Sequence, residues 1–376
     1  MNNTSDVIII GLGAMGSATS MFLSHNGIKV IGFDSYSPPH EFGSSLGHTR
    51  VIREAYHEGT TYVPIVQRAY EIWFEMNENS KVPIIETYGG LLIGPKTGDI
   101  ENALKSANKY DIPIKKMTTD EISQKFSVLN PPKEYIGLLE SRGGAVFVEN
   151  SINHMLNTAL NKGSIHKYNE RVIRWSKKSN YYLVETNLGN YKAEKLVFSS
   201  GAWITKLIPT LKLPIKIERQ VLFWFSPRKN PDKFKSINMP NTGWDLDNGL
   251  SFYAMPNIEN RGFKVAMHHN GEFVDPDTLI RESNDSDLKM VRGFLEEYIP
   301  DGNGELIDSK VCMYTDTPDQ DFLIDSHPDD ENIIICSPCS GHGFKFTPAI
   351  GEICSSLIIN NSTNFDLDEF SLERFF

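Results

Sequence analysis

The sequence has no excess of positive charge. Its 37 Lys and Arg residues are outnumbered by 48 Asp and Glu residues, which gives a formal net charge of −11 over 376 residues. Proteins that bind nucleic acid usually present a basic face, so this balance argues against a nucleic-acid partner. Long hydrophobic runs are also missing, and none approaches the roughly 20 residues that cross a bilayer as a helix. We therefore expect neither a nucleic-acid nor a membrane partner.

Cysteine is scarce as well, with four residues in the chain. Four cysteines in a chain of this length do not make a disulfide framework. The N-terminus also lacks the basic segment, apolar core and cleavage site of an export signal, so we expect a cytoplasmic protein. Cys336 and Cys339 form a C-x-x-C pair, a spacing that occurs in redox and metal sites. Because no second ligand pair accompanies it, we interpret the spacing as coincidental and predict no metal.

The N-terminal stretch that ends at Asp34 carries the clearest pattern in the chain. Residues 7–10 are a short apolar run rich in β-branched side chains, which is typical of a strand buried on both faces. The sequence GLGAMG follows directly, with its glycines at Gly11, Gly13 and Gly16, and leads into a helical pattern. A second apolar strand then ends at Asp34. This arrangement is the fingerprint of a dinucleotide-binding unit.

Each part of the fingerprint has a physical reason. Gly11 permits the tight turn, Gly13 lets the backbone approach a pyrophosphate, and Gly16 allows the helix to pack closely on the strand. The helix N-terminus offers free N–H groups and a partial positive charge to the phosphates. Asp34 is placed to accept hydrogen bonds from a ribose hydroxyl. The motif predicts a dinucleotide without choosing between NAD, NADP and FAD.

The remaining patterns divide the chain into two interleaved units. We assign residues 1–88, 148–214 and 306–376 to a discontinuous, Rossmann-like nucleotide-binding domain. Residues 89–147 and 215–305 contain several β-rich segments and a helix, which favour a largely antiparallel α+β domain. We therefore predict an α/β fold in which an antiparallel-sheet substrate domain accompanies the nucleotide-binding domain.

Four further segments place polar or reactive side chains in glycine-rich or apolar surroundings. They are residues 43–53, the strand with Lys264 and His268, residues 312–315 and residues 340–345. If the strand alternates regularly, Lys264 and His268 share one of its faces. Such an arrangement indicates a pocket assembled from distant parts of the chain.

Six stretches in and around these segments carry a family pattern. They are DVIIIGLGAMG, GSSLGHTRVIREAYHEGTTYVP, LVFSSGAW, FKVAMHH, VCMYTDTPDQDFLID and SGHGFKF, in that order along the chain. On these stretches the chain resembles the monomeric sarcosine oxidase and N-methyltryptophan oxidase group of FAD-dependent amine oxidases, within the D-amino-acid-oxidase-like superfamily. The resemblance covers nearly the whole chain and implies FAD rather than NAD as the cofactor.

The resemblance implies a set of contacts with the cofactor. Cys312 matches the cysteine that carries the flavin through a thioether, whereas its surroundings alone fit a small buried apolar side chain. Thr49 and Arg50 match residues that lie against the flavin. The full set implied for FAD is Gly11, Gly13, Gly16, Asp34, Ser44, Thr49, Arg50, Val172, Gly201, Cys312, Gly341 and Lys345.

The same resemblance implies four catalytic residues, Arg50, Lys264, His268 and Tyr314. Lys264 matches a lysine placed near the flavin, where a fixed cation helps oxygen to accept an electron. From the sequence alone, His268 is more often a structural hydrogen-bonding group, and Tyr314 equally fits ordinary core packing.

Four residues are implied in substrate binding. Arg53 and Lys345 match a pair that holds the substrate carboxylate, because an Arg fork fits a carboxylate and Lys adds a point charge. A surface ion pair is the commoner fate of such side chains. Tyr253 matches an aromatic wall position, with core packing as the alternative. Trp244 stands where sarcosine oxidases tend to have a smaller side chain, so we expect a different pocket.

The chain also departs from the family pattern in the loop before Thr49. Ser45 and Leu46 occupy positions where the family commonly has two histidines, and His48 replaces an acidic residue. Loss of the histidine beside the flavin bears on the tuning of flavin reactivity rather than on flavin binding.

The function implied is oxidation of the secondary amine of an N-methyl amino acid by O2. The products are the demethylated amino acid, formaldehyde and hydrogen peroxide, and the resemblance implies a monomer. One alternative is an oxidase of another secondary or cyclic amino acid. Others are a nicotinamide-dependent dehydrogenase, which would share the glycine fingerprint, and a non-catalytic flavin-binding protein. Local sequence cues do not separate sarcosine from N-methyltryptophan as the substrate.

Overall fold

The computed structural model describes residues 3–376, in which the strands form three sheets. The strands are β1 (Thr4–Ile10), β2 (Val30–Phe33), β3 (Thr49–Ile52), β4 (Ile85–Thr87), β5 (Gly90–Gly94), β6 (Ile114–Thr118), β7 (Ile136–Glu140), β8 (Gly144–Phe147), β9 (Ile165–Lys167), β10 (Val172–Lys177), β11 (Tyr182–Thr186), β12 (Asn190–Phe198), β13 (Lys216–Ser226), β14 (Asn241–Asp245), β15 (Ser251–Met255), β16 (Phe263–His268), β17 (Glu305–Asp316), β18 (Leu323–His327) and β19 (Asp330–Ser337).

Helices cover the sheets from outside. Those in the described residues are α1 (Ala14–His25), α2 (Tyr62–Glu78), α3 (Asp99–Lys109), α4 (Thr119–Lys125), α5 (Val148–Asn161), α6 (Ile204–Leu207), α7 (Asp285–Tyr298) and α8 (Thr347–Asn360). Within residues 3–376, no helix combines the length and the apolar character that a membrane crossing requires.

The first sheet has a parallel centre in the order β9-β2-β1-β12-β19. Its central strand β1 is buried along Val7–Ile10, as the apolar run predicts for a strand covered on both faces. Helix α1 packs between α5 and α8 on one side of this sheet. The antiparallel strands β10, β11 and β18 extend it. This arrangement confirms the predicted Rossmann-like half of an α/β fold.

The second sheet runs in the order β17-β13-β16-β15-β14-β5-β7-β6. Its pairs are antiparallel except for β5 with β14. Helix α7 covers one face, where Phe294 stacks on Phe252 of β15. The opposite face carries Cys312 and Tyr314 of β17 and is turned toward the first sheet, with which it encloses a cavity. The predicted antiparallel sheet is therefore present.

Strand pairing changes the division into units. The sequence patterns place everything from residue 306 onward in the nucleotide-binding domain, but β17 pairs with β13 along its length. The reason is non-local, because β13 comes much earlier in the chain and supplies the edge that β17 extends. We therefore propose that the second domain continues to Asp316 and that the C-terminal part of the first domain begins after it.

A small sheet joins the two units. Strand β8 pairs with both β3 and β4, and Thr49 of β3 lies opposite Phe147 of β8. Strand β3 follows the glycine-rich loop of residues 43–48 and carries Arg50. The sheet thereby fixes this loop against the second domain.

Candidate active site

A cavity of about 770 Å³ lies between the carboxyl ends of the first sheet and one face of the second. This is the usual place for a ligand in a nucleotide-binding sheet, and the volume suits a small-molecule ligand. Most predicted site residues border the cavity, namely Gly11, Gly13, Asp34, Ser44, Arg50, Arg53, Val172, Gly201, Trp244, Tyr253, His268, Cys312, Tyr314, Gly341 and Lys345. Gly16, Thr49 and Lys264 lie behind its surface.

The glycine loop forms one end of the cavity, which we call the nucleotide end. Gly11 has a φ of 97°, a conformation that suits glycine. A Cβ atom on Gly16 would overlap the carbonyl oxygen of Gly11, so this glycine allows helix α1 to pack on β1. Asp34 accepts hydrogen bonds from the backbone N–H groups of Leu12 and Tyr36, both at 2.9 Å. The carboxylate at the end of β2 thus holds the loop in place.

The nucleotide end fits a dinucleotide cofactor. The nearest atom to a Cβ placed on Gly13 is the Ser45 hydroxyl at 3.7 Å, so the backbone there is open to close approach. The hydroxyl oxygens of Ser44 and Ser200 are buried without hydrogen-bond partners in the described residues, and both serines border the cavity. Buried polar atoms normally find partners. A polar ligand in the cavity would supply them.

Arg50 and Cys312 meet at the middle of the cavity. Arg50 donates to the carbonyl oxygens of Thr49 at 3.0 Å and Ser44 at 3.1 Å, and its Nη2 lies 3.7 Å from the Cys312 sulfur. The sulfur is also 3.5 Å from the Ser44 carbonyl oxygen. Cys312 is 2% exposed yet borders the cavity, so its thiol is accessible from the cavity and not from the outer surface.

Lys264 lies just behind this point. Its Nζ donates to the carbonyl oxygens of Thr49 at 2.7 Å and Gly47 at 3.0 Å. Burial, and then the charge of Arg50, lowers the pKa of Lys264 well below its usual value. The strand register confirms the alternation expected from the sequence, because Lys264 lies opposite Met255 and the next residue on that face, Ala266, lies opposite Tyr253.

Arg53 and Lys345 converge on Tyr56 at the other end of the cavity, which we call the ring end. The Arg53 guanidinium carbon is 4.3 Å from the centre of the Tyr56 ring, and the Lys345 ammonium nitrogen is 5.1 Å from it. Arg53 also donates to both oxygens of Glu58, at 2.6 and 2.7 Å. Two cations from distant parts of the sequence therefore border the cavity and approach the same buried aromatic ring next to it.

Lys345 is the less compensated of these cations. It donates to the His342 carbonyl oxygen at 2.7 Å and to the Tyr56 hydroxyl at 3.3 Å, and within residues 3–376 no carboxylate pairs with it. Burial, and then the charge of Arg53, lowers the pKa of Lys345 to about 7. A buried cation of this kind would be stabilised by an anionic ligand.

His268 and Tyr314 form another part of the ring end. The His268 Nδ1 lies 3.1 Å from the Tyr314 hydroxyl oxygen. Burial, and then the neighbouring His269, lowers the pKa of His268 well below its usual value, so the imidazole is neutral near pH 7. Burial raises the pKa of Tyr253 to about 12 and that of Tyr314 well above its usual value. The wall is polar but uncharged at this point.

Trp244 does not share the face of Tyr253. On β14 and β15, Trp244 lies opposite Phe252, whereas Gly243 lies opposite Tyr253. The Trp244 ring packs against Phe294 of α7, and its indole N–H donates to Thr242. Although atoms of Trp244 border the cavity, the ring belongs to the core beneath α7. The substrate contact of Trp244 stays a prediction, and it would involve the part of the residue that borders the cavity.

Four residues at or beside the cavity escaped the sequence reasoning: His57, Glu58 and His342 border it, and Tyr56 is buried next to them. The Tyr56 hydroxyl lies 2.6 Å from His342 Nδ1, whose Nε2 in turn lies 3.0 Å from the Gln320 carbonyl oxygen. The signal was present, since three of these residues closely follow Arg53 and the fourth lies in the SGHGFKF stretch. Alternation alone did not show which of them turn inward.

The departures in the loop acquire structural roles. Ser45 accepts a hydrogen bond from the Ala14 N–H at 3.3 Å, at the start of α1. Leu46 is buried beside Leu222 and Cys312. His48 has a φ of 68° and its Nε2 lies 3.1 Å from Glu259. The contacts of Ser45 and Leu46 thus support the loop that borders the cavity.

The C-x-x-C cysteines are not activated thiols. A hydrogen bond with Cys354, and then burial, raises the pKa of Cys336 well above its usual value. Burial raises the pKa of Cys339 to about 11. Redox chemistry proceeds through the thiolate, so this pair is a poor candidate for it.

Together, the glycine loop, the unpartnered serines and the buried cations fit a dinucleotide beside an anion-binding pocket. The sequence profile described as DAO, FAD dependent oxidoreductase, matches residues 6–357. The chain belongs to this FAD-dependent oxidoreductase family. FAD is therefore the cofactor, which resolves the choice that the glycine motif left open.

Family members with curated names align over the full chain. Monomeric sarcosine oxidase from a Bacillus species is 35% identical over 381 residues, covering 100% of this chain and 97% of that protein. N-methyl-L-tryptophan oxidase from Salmonella agona is 33% identical over 374 residues, covering 98% of this chain and 99% of that protein. These alignments confirm the resemblance drawn from the six stretches.

Solved structures show the same fold. L-proline dehydrogenase from P. horikoshii superposes with a TM-score of 0.86 at 20% identity, covering 100% of this chain and 98% of that chain. A likeness at this identity concerns the fold alone. It confirms the predicted α/β architecture.

Proposed function

We propose that this oxidoreductase acts on the secondary amine of a small N-methyl amino acid and uses O2 as the electron acceptor. Two electrons and two protons leave the N–CH3 unit, which becomes an imine. Water hydrolyses the imine to formaldehyde and the demethylated amino acid. Oxygen takes up the two electrons and two protons as hydrogen peroxide. FAD, when bound, supplies the electron transfer between amine and oxygen.

The convergence of Arg53 and Lys345 carries this proposal. Both cations border the cavity beside Tyr56, and Lys345 lacks a carboxylate partner in the described residues. A substrate carboxylate would neutralise Lys345 and compete with Glu58 for the Arg53 fork. The names of the curated relatives, an oxidase of sarcosine and an oxidase of N-methyl-L-tryptophan, support an N-methyl amino acid.

The remaining residues orient the amine. His268 and Tyr314 are hydrogen-bonded to each other at the wall, and the neutral imidazole can exchange a hydrogen bond with the substrate nitrogen. Tyr253 provides an aromatic face on the adjacent strand. Together with the carboxylate clamp, these groups limit the substrate to one orientation, which is the main contribution of the protein to the rate.

We propose that FAD is attached covalently through Cys312 and that Lys264 assists the reaction with oxygen. The Cys312 sulfur faces the cavity and lies 3.7 Å from the Arg50 guanidinium, at the middle of the proposed flavin site. Lys264 sits behind the same loop, where two carbonyl oxygens hold its amino group in place and favour its protonated form. The monomeric state and cytoplasmic location expected from the sequence belong to the same proposal.

The first experiment is a visible spectrum of the purified protein before and after acid precipitation. Yellow colour in the pellet, lost in Cys312→Ser, is the expected result and supports the covalent link. Colour released to the supernatant would contradict the link but keep FAD binding.

The substrate is tested by anaerobic bleaching with sarcosine, N-methyl-L-tryptophan and L-proline. We expect one of the two N-methyl amino acids to bleach the protein, with formaldehyde and peroxide forming when air is admitted. Bleaching by proline alone would replace the substrate class by a cyclic amino acid. Failure of all three would contradict the proposal.

A further inference from the structure

One cluster outside the cavity combines three side chains that commonly bind metal ions. Glu218 of β13, His269 directly after β16 and Asp316 at the end of β17 each offer one ligand atom, and these atoms lie within 4.8 Å of one another. Glu218 and Asp316 are only 4% and 8% exposed. The proposed reaction uses none of the three residues.

The strand register explains why the carboxylates meet. Glu218 lies opposite Tyr314, and Asp316 is the next residue of β17 on the same face. Glu218 and Asp316 are therefore diagonal neighbours, close enough for their side chains to interact.

The chain after β16 brings the imidazole to them. His269 and Asn270 have φ values of 61° and 63°, in the left-handed region that non-glycine residues seldom adopt. This turn presses Gly271 onto β13, where its N–H donates to Glu218. It also places His269 Nδ1 at 3.1 Å from the other Glu218 oxygen. Three separate chain segments thus fix the cluster.

Among the described residues, no Lys or Arg balances the charge of the two carboxylates. Among the ion pairs of residues 3–376, Glu218 pairs only with His269, and Asp316 pairs with neither Lys nor Arg. One Asp316 carboxylate oxygen is buried with no hydrogen-bond partner in the same part of the chain. Burial and the neighbouring Glu218 raise the pKa of Asp316. Either a proton or a cation therefore balances the two buried carboxylates, because burying unpaired charge is costly.

We propose that Glu218, His269 and Asp316 bind a divalent transition-metal ion of the zinc class. One imidazole and two carboxylates are ligands that zinc accepts, and three protein ligands leave a position for water. The His269 ring centre is 4.3 Å from that of His268 and 5.3 Å from that of Tyr314. A bound ion would therefore fix the wall of the active site from the side, next to Tyr314 and His268. This proposal departs from the sequence-based expectation of no metal.

The test uses the flavin-loaded protein after treatment with a chelator and dialysis. Titration with zinc, followed by calorimetry and elemental analysis, is expected to show one tightly bound equivalent per chain. Glu218→Gln and Asp316→Asn are each expected to weaken binding at least about tenfold. Asp275→Asn serves as the matched control, because Asp275 is an exposed carboxylate that pairs with Lys206, and it should leave binding unchanged.

Cobalt(II) distinguishes this site from the cysteines. The expected absorption spectrum lacks a thiolate-to-cobalt charge-transfer band, because the ligands are nitrogen and oxygen. Such a band would overturn the proposal. Undiminished zinc binding in both Asp316→Asn and His269→Gln would also overturn it, and His269 is half-buried, so its replacement should be tolerated by the fold. Absence of zinc binding to the wild-type protein would also overturn it and would mean that protons balance the carboxylates. If Glu218→Gln does not fold, the other two variants decide the matter.

Discussion

At the nucleotide end of the cavity the chain contributes backbone, whereas at the ring end it contributes side chains. The nucleotide end is built from one short stretch of the chain. Gly11 makes a left-handed turn, Gly16 allows a close helix contact, and the Asp34 carboxylate accepts hydrogen bonds from two backbone N–H groups. Arg53 and Lys345 come from opposite ends of the sequence and meet only at Tyr56.

Because of this contrast, we expect substitutions at the two ends of the cavity to have different effects. Atoms at the nucleotide end are fixed by packing, so a change there should alter folding or cofactor retention. The cations at the ring end are held by hydrogen bonds to carbonyl, hydroxyl and carboxylate oxygens, so a change there should leave the fold and alter chemistry. Variants at the two ends therefore test the difference directly.

The largest effect should come from glycine substitutions at the nucleotide end. In Gly16→Ala the new Cβ would overlap the Gly11 carbonyl oxygen, so we expect the free energy of unfolding to fall by about 3 kcal/mol, with loss of FAD. Gly13→Ala has no atom closer than 3.7 Å to its new Cβ, so it should fold normally yet retain less FAD because the backbone is blocked. Urea unfolding and the flavin-to-protein absorbance ratio measure the two effects.

Gly293→Ala provides the control for these variants, since Gly293 lies in α7 with no atom within 4 Å of its Cβ position. It should be neutral or slightly stabilising and should keep full FAD content. Equal stability of the Gly16 and Gly13 variants would contradict the packing role given to Gly16.

Replacement of Lys264 should separate the two half-reactions. Lys264→Met removes a fixed cation, so we expect reoxidation by oxygen to slow by about 10²- to 10³-fold, while reduction by substrate changes far less. Stopped-flow absorbance measures each half-reaction on its own. Lys105→Met, at an exposed position on α3, is the control and should change neither rate. Comparable losses in both half-reactions would count against the oxygen role of Lys264.

Loss of Arg53 should weaken only the binding of the substrate carboxylate. In Arg53→Met we expect KM for the amino acid to rise about 10- to 100-fold, since a charge-assisted hydrogen bond contributes roughly 1.5–3 kcal/mol. An N-methyl amine without a carboxylate should react equally poorly with the wild-type protein and with Arg53→Met. This comparison isolates the contact between Arg53 and the substrate carboxylate. Arg68→Met is the control, because Arg68 pairs with Glu352 and Glu71 on α8 and α2. An unchanged KM would remove Arg53 from the clamp.

The smallest effect is a pH dependence at Lys345. Its pKa of about 7 means that the cation is present below pH 7 and is lost as the pH rises through that value. A carboxylate inhibitor without an amine should therefore bind about tenfold more weakly at pH 8.5 than at pH 6, because Lys345 loses its charge at the clamp over this range. Inhibition constants across this range provide the measurement.

Two variants at the same position sharpen the result. Lys345→Arg should give a flat profile with tight binding, since the guanidinium stays protonated, and Lys345→Met should give a flat profile with weak binding. A wild-type profile that is as flat as that of the arginine variant would contradict the titration of Lys345.

The sequence predicted most of the nucleotide end because its elements are local. Strand β1, the glycine turn and Asp34 follow one another in a single N-terminal stretch, and each has its own conformational signature. The shared face of Lys264 and His268 was also predictable, because alternation along a single strand determines it.

The ring end was less predictable because it depends on pairing between distant strands. β17 joins the second sheet through β13, which no local pattern in either strand indicates. The orientation of Trp244 depends on the position of α7, a helix that comes later in the chain. The contacts of Tyr56 with Lys345 and His342 likewise arise only when the chain folds back on itself.

The regular alternation of β17 ties three positions to one another. Cys312, Tyr314 and Asp316 alternate with other residues along the strand and therefore point to the same face of the second sheet. Insertion or deletion of a single residue before Cys312 would turn all three side chains to the opposite face at once. In the descent of this enzyme, these three positions can change in identity one at a time, but they can shift in register only as a unit.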